Sequence, residues 1–278
     1  MTLKIKIMND QINTLKDVQN ENDIRGIDIQ KVGINDIDVP LVVQRKNGEN
    51  QTVIAKARMS VSLSKMKKGT HMSRFVEILN IYRHKSFSAK DIECLLNDTK
   101  KVLKAESADA RFTFKYFIDK KSPVTKLSFP IAYDCIYEGI LENDKYTFVL
   151  GVKVPVTTLC PCSKEIADYS AHNQRAIVKL KIAYNQAIET IWAEDIIKIV
   201  ESCASSPLYE ILKRSDEKFV TEKAYENPKF VEDILRDLVV KLRKDTRIVK
   251  YETEIEAFES IHNHNAWAYQ SESKRSRQ

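Results

Sequence analysis

Between Pro155 and Arg175 the chain reads PVTTLCPCSKEIADYSAHNQR, with Cys160 and Cys162 one residue apart and His172 twelve positions after the first of them. Polar and charged side chains dominate the segment, which makes it a poor core and a good site. Structural zinc sites usually draw on two pairs of cysteines spaced two to four residues apart. Here the spacing is one and no second pair exists, because Cys94, Cys135 and Cys203 are scattered. Thiol, imidazole and carboxylate together make the mixed donor set of a catalytic metal site that keeps one position for water. A dithiol redox pair is the rival, although such pairs usually have two intervening residues. Cys203 stands alone and reads as a packed residue.

The other histidines are His71, His84, His262 and His264. His84, within Tyr-Arg-His-Lys, reads as a surface residue. His262 and His264 flank Asn263 near the end of the chain, a second cluster of metal-competent or proton-carrying groups.

Composition narrows the class of protein that could carry such a site. With 278 residues, 43% of them hydrophobic and 30% charged, the chain can bury a sizeable core in one large domain or two smaller ones. Its 45 Lys and Arg against 39 Asp and Glu leave +6, too modest and too dispersed to imply nucleic acid. A phosphorylated small substrate suits that balance equally well. No run approaches 18 apolar residues and the first residues lack a signal-peptide core, so a soluble, cytoplasmic protein is expected. Five cysteines, an odd number, argue against a disulfide framework.

The elements that must position the site follow from periodicity. Residues 1–36 are polar and read as an extension. Strands are expected at 37–44 and 52–64, the second with Val53, Ala55, Ala57, Met59, Val61 and Leu63 on one face. Phe75, Ile78, Leu79 and Tyr82 then recur at helical spacing, and Ser88 with Asp91 makes a capping box for a second helix striped by Ile92, Leu95, Leu96 and Leu103. Strands return at 110–118 and 126–138, the latter interrupted at Pro130. The order then recurs: a strand at 146–156, the Pro155–Arg175 loop, and a strand at 175–184. A helix at 193–202 follows, then another opened by Asn227-Pro228 with Val231, Ile234, Leu235, Leu238 and Leu242 as its stripe, and a strand at 248–261. This is a pseudo-duplicated α+β chain with modules at 37–140 and 141–270 and a polar tail at 271–278.

LCPCSKEIADYSAHNQR, together with KGTHMSRF at 68–75, LKRSDEKFVTEKAYENPKFVEDILRD at 212–237 and ESIHNHNAWA at 259–268, resembles the type IB GTP cyclohydrolase I family, with the blocks in that family's order. The resemblance implies the tunnelling fold (T-fold), in which tandem ββααββ units form antiparallel sheets. Several subunits build a barrel with active sites at their interfaces, so a homo-oligomer, dimer or tetramer, is expected. It implies a cytoplasmic, metal-dependent hydrolase converting GTP and water to 7,8-dihydroneopterin triphosphate and formate, the first step of folate-type pterin synthesis. The divalent ion is zinc, manganese or iron, with Cys160, His172, Glu217 and His262 as ligands, Glu222 and His264 being the neighbours that compete for the last two places. Glu232 maps onto the carboxylate that grips guanine, whose N1–H and exocyclic amine it accepts together. Water must be added at C8 and a histidine must protonate the departing ring nitrogen, a role open to His264 or His172. Cys162 stands beside the metal as a second thiol. Lys213, Arg214, Arg74, Lys164, Arg175 and His71 are the candidates for the triphosphate. Three alternatives remain open: an archaeal-type cyclohydrolase giving a cyclic phosphate, a T-fold nitrile reductase with a nucleophilic cysteine, and a zinc-stabilised module that binds purine or RNA without catalysis.

Overall fold

The computed structural model describes residues 16–274. In chain order these form β1 (Ile29–Gln44), β2 (Asn50–Leu63), α1 (Met72–Tyr82), β3 (Ser86–Phe87), α2 (Ala89–Leu103), β4 (Ala108–Lys121), β5 (Ser128–Glu142), β6 (Lys145–Leu159) and α3 (Pro161–Ile166). The second half adds β7 (Asn173–Tyr184), α4 (Ala193–Glu201), β8 (Ser206–Pro207), α5 (Arg214–Glu226), α6 (Val231–Lys244), β9 (Ile248–Ala257) and β10 (Ala266–Ser273). All strands join one sheet in the order β10-β9-β7-β6-β5-β4-β2-β1-β3, with β8 pairing β6 off that path. The ladders of the eight long strands are antiparallel. The expected repeat is therefore real in outline. β1-β2-α1-α2-β4-β5 is followed by β6-β7-α4-α6-β9-β10, and β5 pairs β6 to fuse the halves.

Side chains alternate across this sheet as a period of two requires. Phe112, Phe114 and Tyr116 of β4, Val152, Val154 and Val156 of β6, and Val178, Leu180 and Ile182 of β7 are buried. The helices cover this face, α1 with Phe75, Ile78, Leu79 and Tyr82 and α6 with Val231, Ile234, Leu238 and Leu242. The Ser88–Asp91 capping box forms as expected and starts α2. The opposite face carries ion pairs such as Lys179 with Glu254 and Lys181 with Glu252.

Close packing between α2 and β5 depends on Gly139. A Cβ there would lie 2.4 Å from Ile92 Cγ2, and a β-branched side chain cannot swing aside freely. Gly139→Ala is expected to lower unfolding stability by about 1–3 kcal/mol in urea titration.

Several boundaries differ from the sequence reading. β1 begins at Ile29, so part of the segment read as an extension is a strand, and β10 runs to Ser273, into the segment read as a tail. Pro130 does not break β5, because it lies where the ladder to β6 has not begun; that pairing starts at Asp134. A missing N–H on an unpaired side removes no ladder bond. The Pro155–Arg175 loop is shorter than expected, since β6 extends to Leu159, β7 starts at Asn173, and α3 forms between them. Asn227 does not open α6. It ends α5, donating through its side chain to the carbonyls of Ala204 and Ser205, while Phe230 occupies the N-cap of α6. No helix among the described residues is long and apolar enough to cross a membrane.

Candidate active site at the end of the central strands

Cys160 follows the last residue of β6 and caps α3, where its Sγ accepts the Ser163 N–H at 3.4 Å. Pro161 at the first helical position suits this start. The Cys160 N–H donates to the His172 carbonyl at 3.1 Å, which draws the two candidate ligands together across the mouth of the β6–β7 connection. Ser163 Oγ tightens that mouth by donating to the Cys160 carbonyl and accepting the His172 N–H, each at 3.2 Å.

The ring of His172 is oriented by a relay. Its Nδ1 lies 3.0 Å from Gln174 Oε1, and Gln174 Nε2 donates to Glu259 Oε1 at 3.2 Å. Because the carboxylate can only accept from the amide nitrogen, the amide oxygen must face the imidazole, so Nδ1 carries the proton and Nε2 keeps a free lone pair. A histidine held this way is ready to ligate a cation through Nε2. Gln174 and Glu259 were not picked out from sequence. Gln174 could have been, since it lies two residues beyond His172 and so on the same side of an extended chain. Gln174→Leu is expected to weaken metal binding by roughly 10–100-fold, checked by chelator competition.

The remaining candidates reach the same end of the sheet from separate elements. Phe258 N–H donates to the Arg175 carbonyl at 2.9 Å, so the connection from β9 to β10 starts beside β7. That connection carries His262 and His264, whose exposed rings stack at 5.0 Å. Glu217 lies in the first turn of α5 and Glu232 in the first turn of α6, both exposed. Glu222 pairs with Lys218 one turn earlier, at 3.4 Å. Lys164 donates to the Tyr225 carbonyl and lies over the Tyr225 ring, fastening α3 to α5. Arg175, Lys213 and Arg214 are exposed at this end, as is Cys162. Cys203 is buried and its Sγ donates to the Ile199 carbonyl, a packed residue as expected.

Asp216, also missed from sequence, is buried beside Glu217. Burial opposes its charge, but the Thr125 hydroxyl and the N–H groups of Lys213, Thr125 and Val124 hold its carboxyl well below the ordinary carboxylate range. Its contribution to stability is thus present above the unfolded carboxylate pKa and is lost as pH falls through the lower folded value.

Two expected substrate contacts are elsewhere. His71 and Arg74 line a cavity of about 1760 Å³ with Lys65, Lys67, Lys101 and Lys104, where β2 ends and β4 begins. Ile140–Asn143, at the turn from β5 into β6, line it too, so it lies at the start of β6 whereas Cys160 lies at the finish. Fifteen residues of β6 at ~3.3 Å each separate the two ends by roughly 45 Å. Within one chain His71 and Arg74 cannot share a nucleotide with Cys160.

The donors fit a divalent cation in part. Cys160 and His172 are joined through their backbones, yet among the described residues no group of three or more His, Cys, Asp or Glu stands close enough to hold a metal.

Tandem ββααββ units in one antiparallel sheet with helices on one face, and the family profile reported below, define a tunnelling-fold enzyme. Uricase from Arthrobacter globiformis has the same fold, with a TM-score of 0.56 at 5% identity over 90% of this chain and 95% of that one. Urate oxidase from Bacillus subtilis 168 aligns over 88% of this chain and 98% of its own, with a TM-score of 0.51 at 6% identity. Sequence relationships are much closer elsewhere. The profile described as GCHY-1, Type I GTP cyclohydrolase folE2, matches residues 15–268. The GTP cyclohydrolase FolE2 of Thermosipho africanus is 48% identical over 254 residues, 91% of this chain and 96% of the relative. That of Geotalea uraniireducens is 49% identical over 261 residues, 94% of each chain. The chain belongs to the type I GTP cyclohydrolase family.

Proposed function

We propose that this chain is a metal-dependent GTP cyclohydrolase that converts GTP and water to 7,8-dihydroneopterin triphosphate and formate, feeding folate-type pterin synthesis. Family membership supplies the substrate class. The observation that supports the metal-dependent chemistry is the His172–Gln174–Glu259 relay, which orients the imidazole of a residue tied through its backbone to Cys160. Glu217 and His262 would complete the ligand set. A divalent cation, if held by these four residues, would supply the acidity that makes water a competent nucleophile at neutral pH.

The chain's own residues do the rest. Glu232, in the first turn of α6, accepts guanine N1–H and the exocyclic amine and so orients C8 toward the water. His264, beside His262, holds the proton for the departing imidazole nitrogen. Lys164, Arg175, Lys213 and Arg214 surround the exposed rim and favour an anionic substrate over a neutral nucleoside. Cys162, exposed in the first turn of α3, offers a second thiol.

Arg74 and His71 bind the triphosphate in this reading, brought to the site by a second copy. The distance of roughly 45 Å along β6 motivates this reading, because a nucleoside triphosphate cannot bridge it. The site is then assembled at the interface of a homo-oligomer, dimer or tetramer, in which barrel-forming sheets meet edge to edge. Mixing Cys160→Ala with Arg74→Ala protein, each inactive alone, is expected to restore up to about a quarter of wild-type activity per site when subunits redistribute at random. No recovery after verified subunit exchange would contradict a shared site. Mass spectrometry of the product is expected to show the open triphosphate, and a cyclic phosphate would contradict the proposed reaction.

A further inference from the structure

Helix α5 carries Glu217 but has little apolar surface to hold it in place. Only Asp216 and Ala224 are buried along its thirteen residues, whereas α6 buries Val231, Ile234, Leu238, Val239 and Leu242. Its direction must therefore come from polar fastenings. At the C-terminal end, Asn227 bonds the carbonyls of Ala204 and Ser205, and Lys164 bonds the Tyr225 carbonyl. Lys229 N–H donates to the Leu159 carbonyl, adjacent to Cys160. This end is thus tied to the strand that bears the thiol.

The N-terminal end is tied to a different unit. Asp216 Oδ1 accepts the N–H groups of Val124 and Thr125 at 2.8 and 2.9 Å, and Oδ2 accepts the Thr125 hydroxyl at 2.5 Å and the Lys213 N–H at 3.0 Å. Val124 and Thr125 sit at the tip of the β4–β5 hairpin, in the first half of the chain. That tip is itself braced: Ser122 N–H donates to the Leu127 carbonyl, Leu127 N–H donates to Ser122 Oγ, and Ser122 and Thr125 share a hydroxyl bond of 2.8 Å. Successive residues on a helix point about 100° apart. Fixing Asp216 inward against the hairpin therefore fixes Glu217 outward, at one azimuth and one height.

We propose that Asp216 is a positioning residue, a latch that seats the first turn of α5 on the β4–β5 hairpin and so presents Glu217 to the metal. This rests on the reading of Glu217 as a ligand. The first half of the chain thereby sets the geometry of a site whose ligands all come from the second.

The test measures zinc affinity by chelator competition on full-length Glu217→Gln, Asp216→Asn, Thr125→Val and Thr125→Ser proteins, with circular dichroism and GTP turnover alongside. Glu217→Gln and Asp216→Asn are expected to bind zinc about 10–100-fold more weakly with unchanged dichroism. Thr125→Val should fall between wild type and Asp216→Asn, and Thr125→Ser should match wild type. Saturating zinc should restore turnover to Asp216→Asn but not to Glu217→Gln, a separation that a merely structural role would not produce. Wild-type zinc affinity in Asp216→Asn and Thr125→Val, with weak binding in Glu217→Gln, would overturn the latch and leave the ligand reading intact. Wild-type affinity in Glu217→Gln would overturn the ligand reading itself. Should Asp216→Asn fail to fold, Thr125→Val against Thr125→Ser decides.

Discussion

Replacing Cys160 with alanine is expected to abolish turnover of GTP and to release the metal together. Cys160 directly follows β6 and is bonded through its backbone to His172. A Lewis-acidic cation contributes several kcal/mol to lowering the barrier for water attack, and each ~1.4 kcal/mol is a factor of ten. The loss is therefore on the order of a thousandfold or more. Metal content should fall in parallel, while circular dichroism stays that of the wild type, because Cys160 is only half buried and outside the main core. An apoprotein that unfolded on metal removal would instead mark a structural zinc module.

Glu232→Ala is expected to be nearly as inactive for a different reason, with metal retained. Glu232 is exposed in the first turn of α6 and is replaceable without disturbing the buried stripe of that helix. Each charge-assisted bond to guanine is worth about 1.5–3 kcal/mol, and two are lost together. The predicted fall in kcat/KM is roughly 10²–10⁴, with guanine nucleotide binding weakened and zinc stoichiometry unchanged. Normal GTP affinity in this variant would reassign the guanine anchor. The two variants thus separate the chemistry of the site from its recognition of the base.

The parts of the structure legible in the sequence are those where one face is buried and the other is wet. Phe75, Ile78, Leu79 and Tyr82 of α1 are all buried, as their spacing implied, and Ser88 with Asp91 caps α2. The beginning of β1 was illegible because Gln30, Lys31, Asn35 and Asp36 give no alternation, and register shifts at Ile29–Val32 and Ile34–Ile37 erase what remains. Gly33 marks that irregular stretch, since a Cβ there would lie 2.0 Å from the Met59 carbonyl oxygen. β10 was not foreseen as a strand, and its last residues were read as a tail, because only β9 flanks it and no residue of it is fully buried. Asn227-Pro228 looked like a helix start, yet the asparagine serves the preceding helix, whose thin apolar face concealed it.

The candidate site divides in the same way. Cys160 and His172 stood out as candidates because they are close in sequence and lie at strand ends, where loops between β-strands place functional groups. Glu259 and Asp216 were not, since each acts on a residue brought near only by the fold: Glu259 on Gln174, Asp216 on the β4–β5 hairpin. Asp216 in particular has the sequence appearance of any acidic residue in a first helical turn. Separation of the His71 and Arg74 cavity from Cys160 is likewise a property of strand direction, and periodicity carries no information about it.

The most direct measurement is formate released per GTP consumed by metal-depleted protein before and after addition of a divalent cation. The expected result is no formate from the folded apoprotein. After zinc, manganese or iron is added, one formate should appear for each dihydroneopterin triphosphate detected by fluorescence after oxidation. Formate production by the stringently metal-free protein, or GTP consumption without formate in the reconstituted one, would contradict the account.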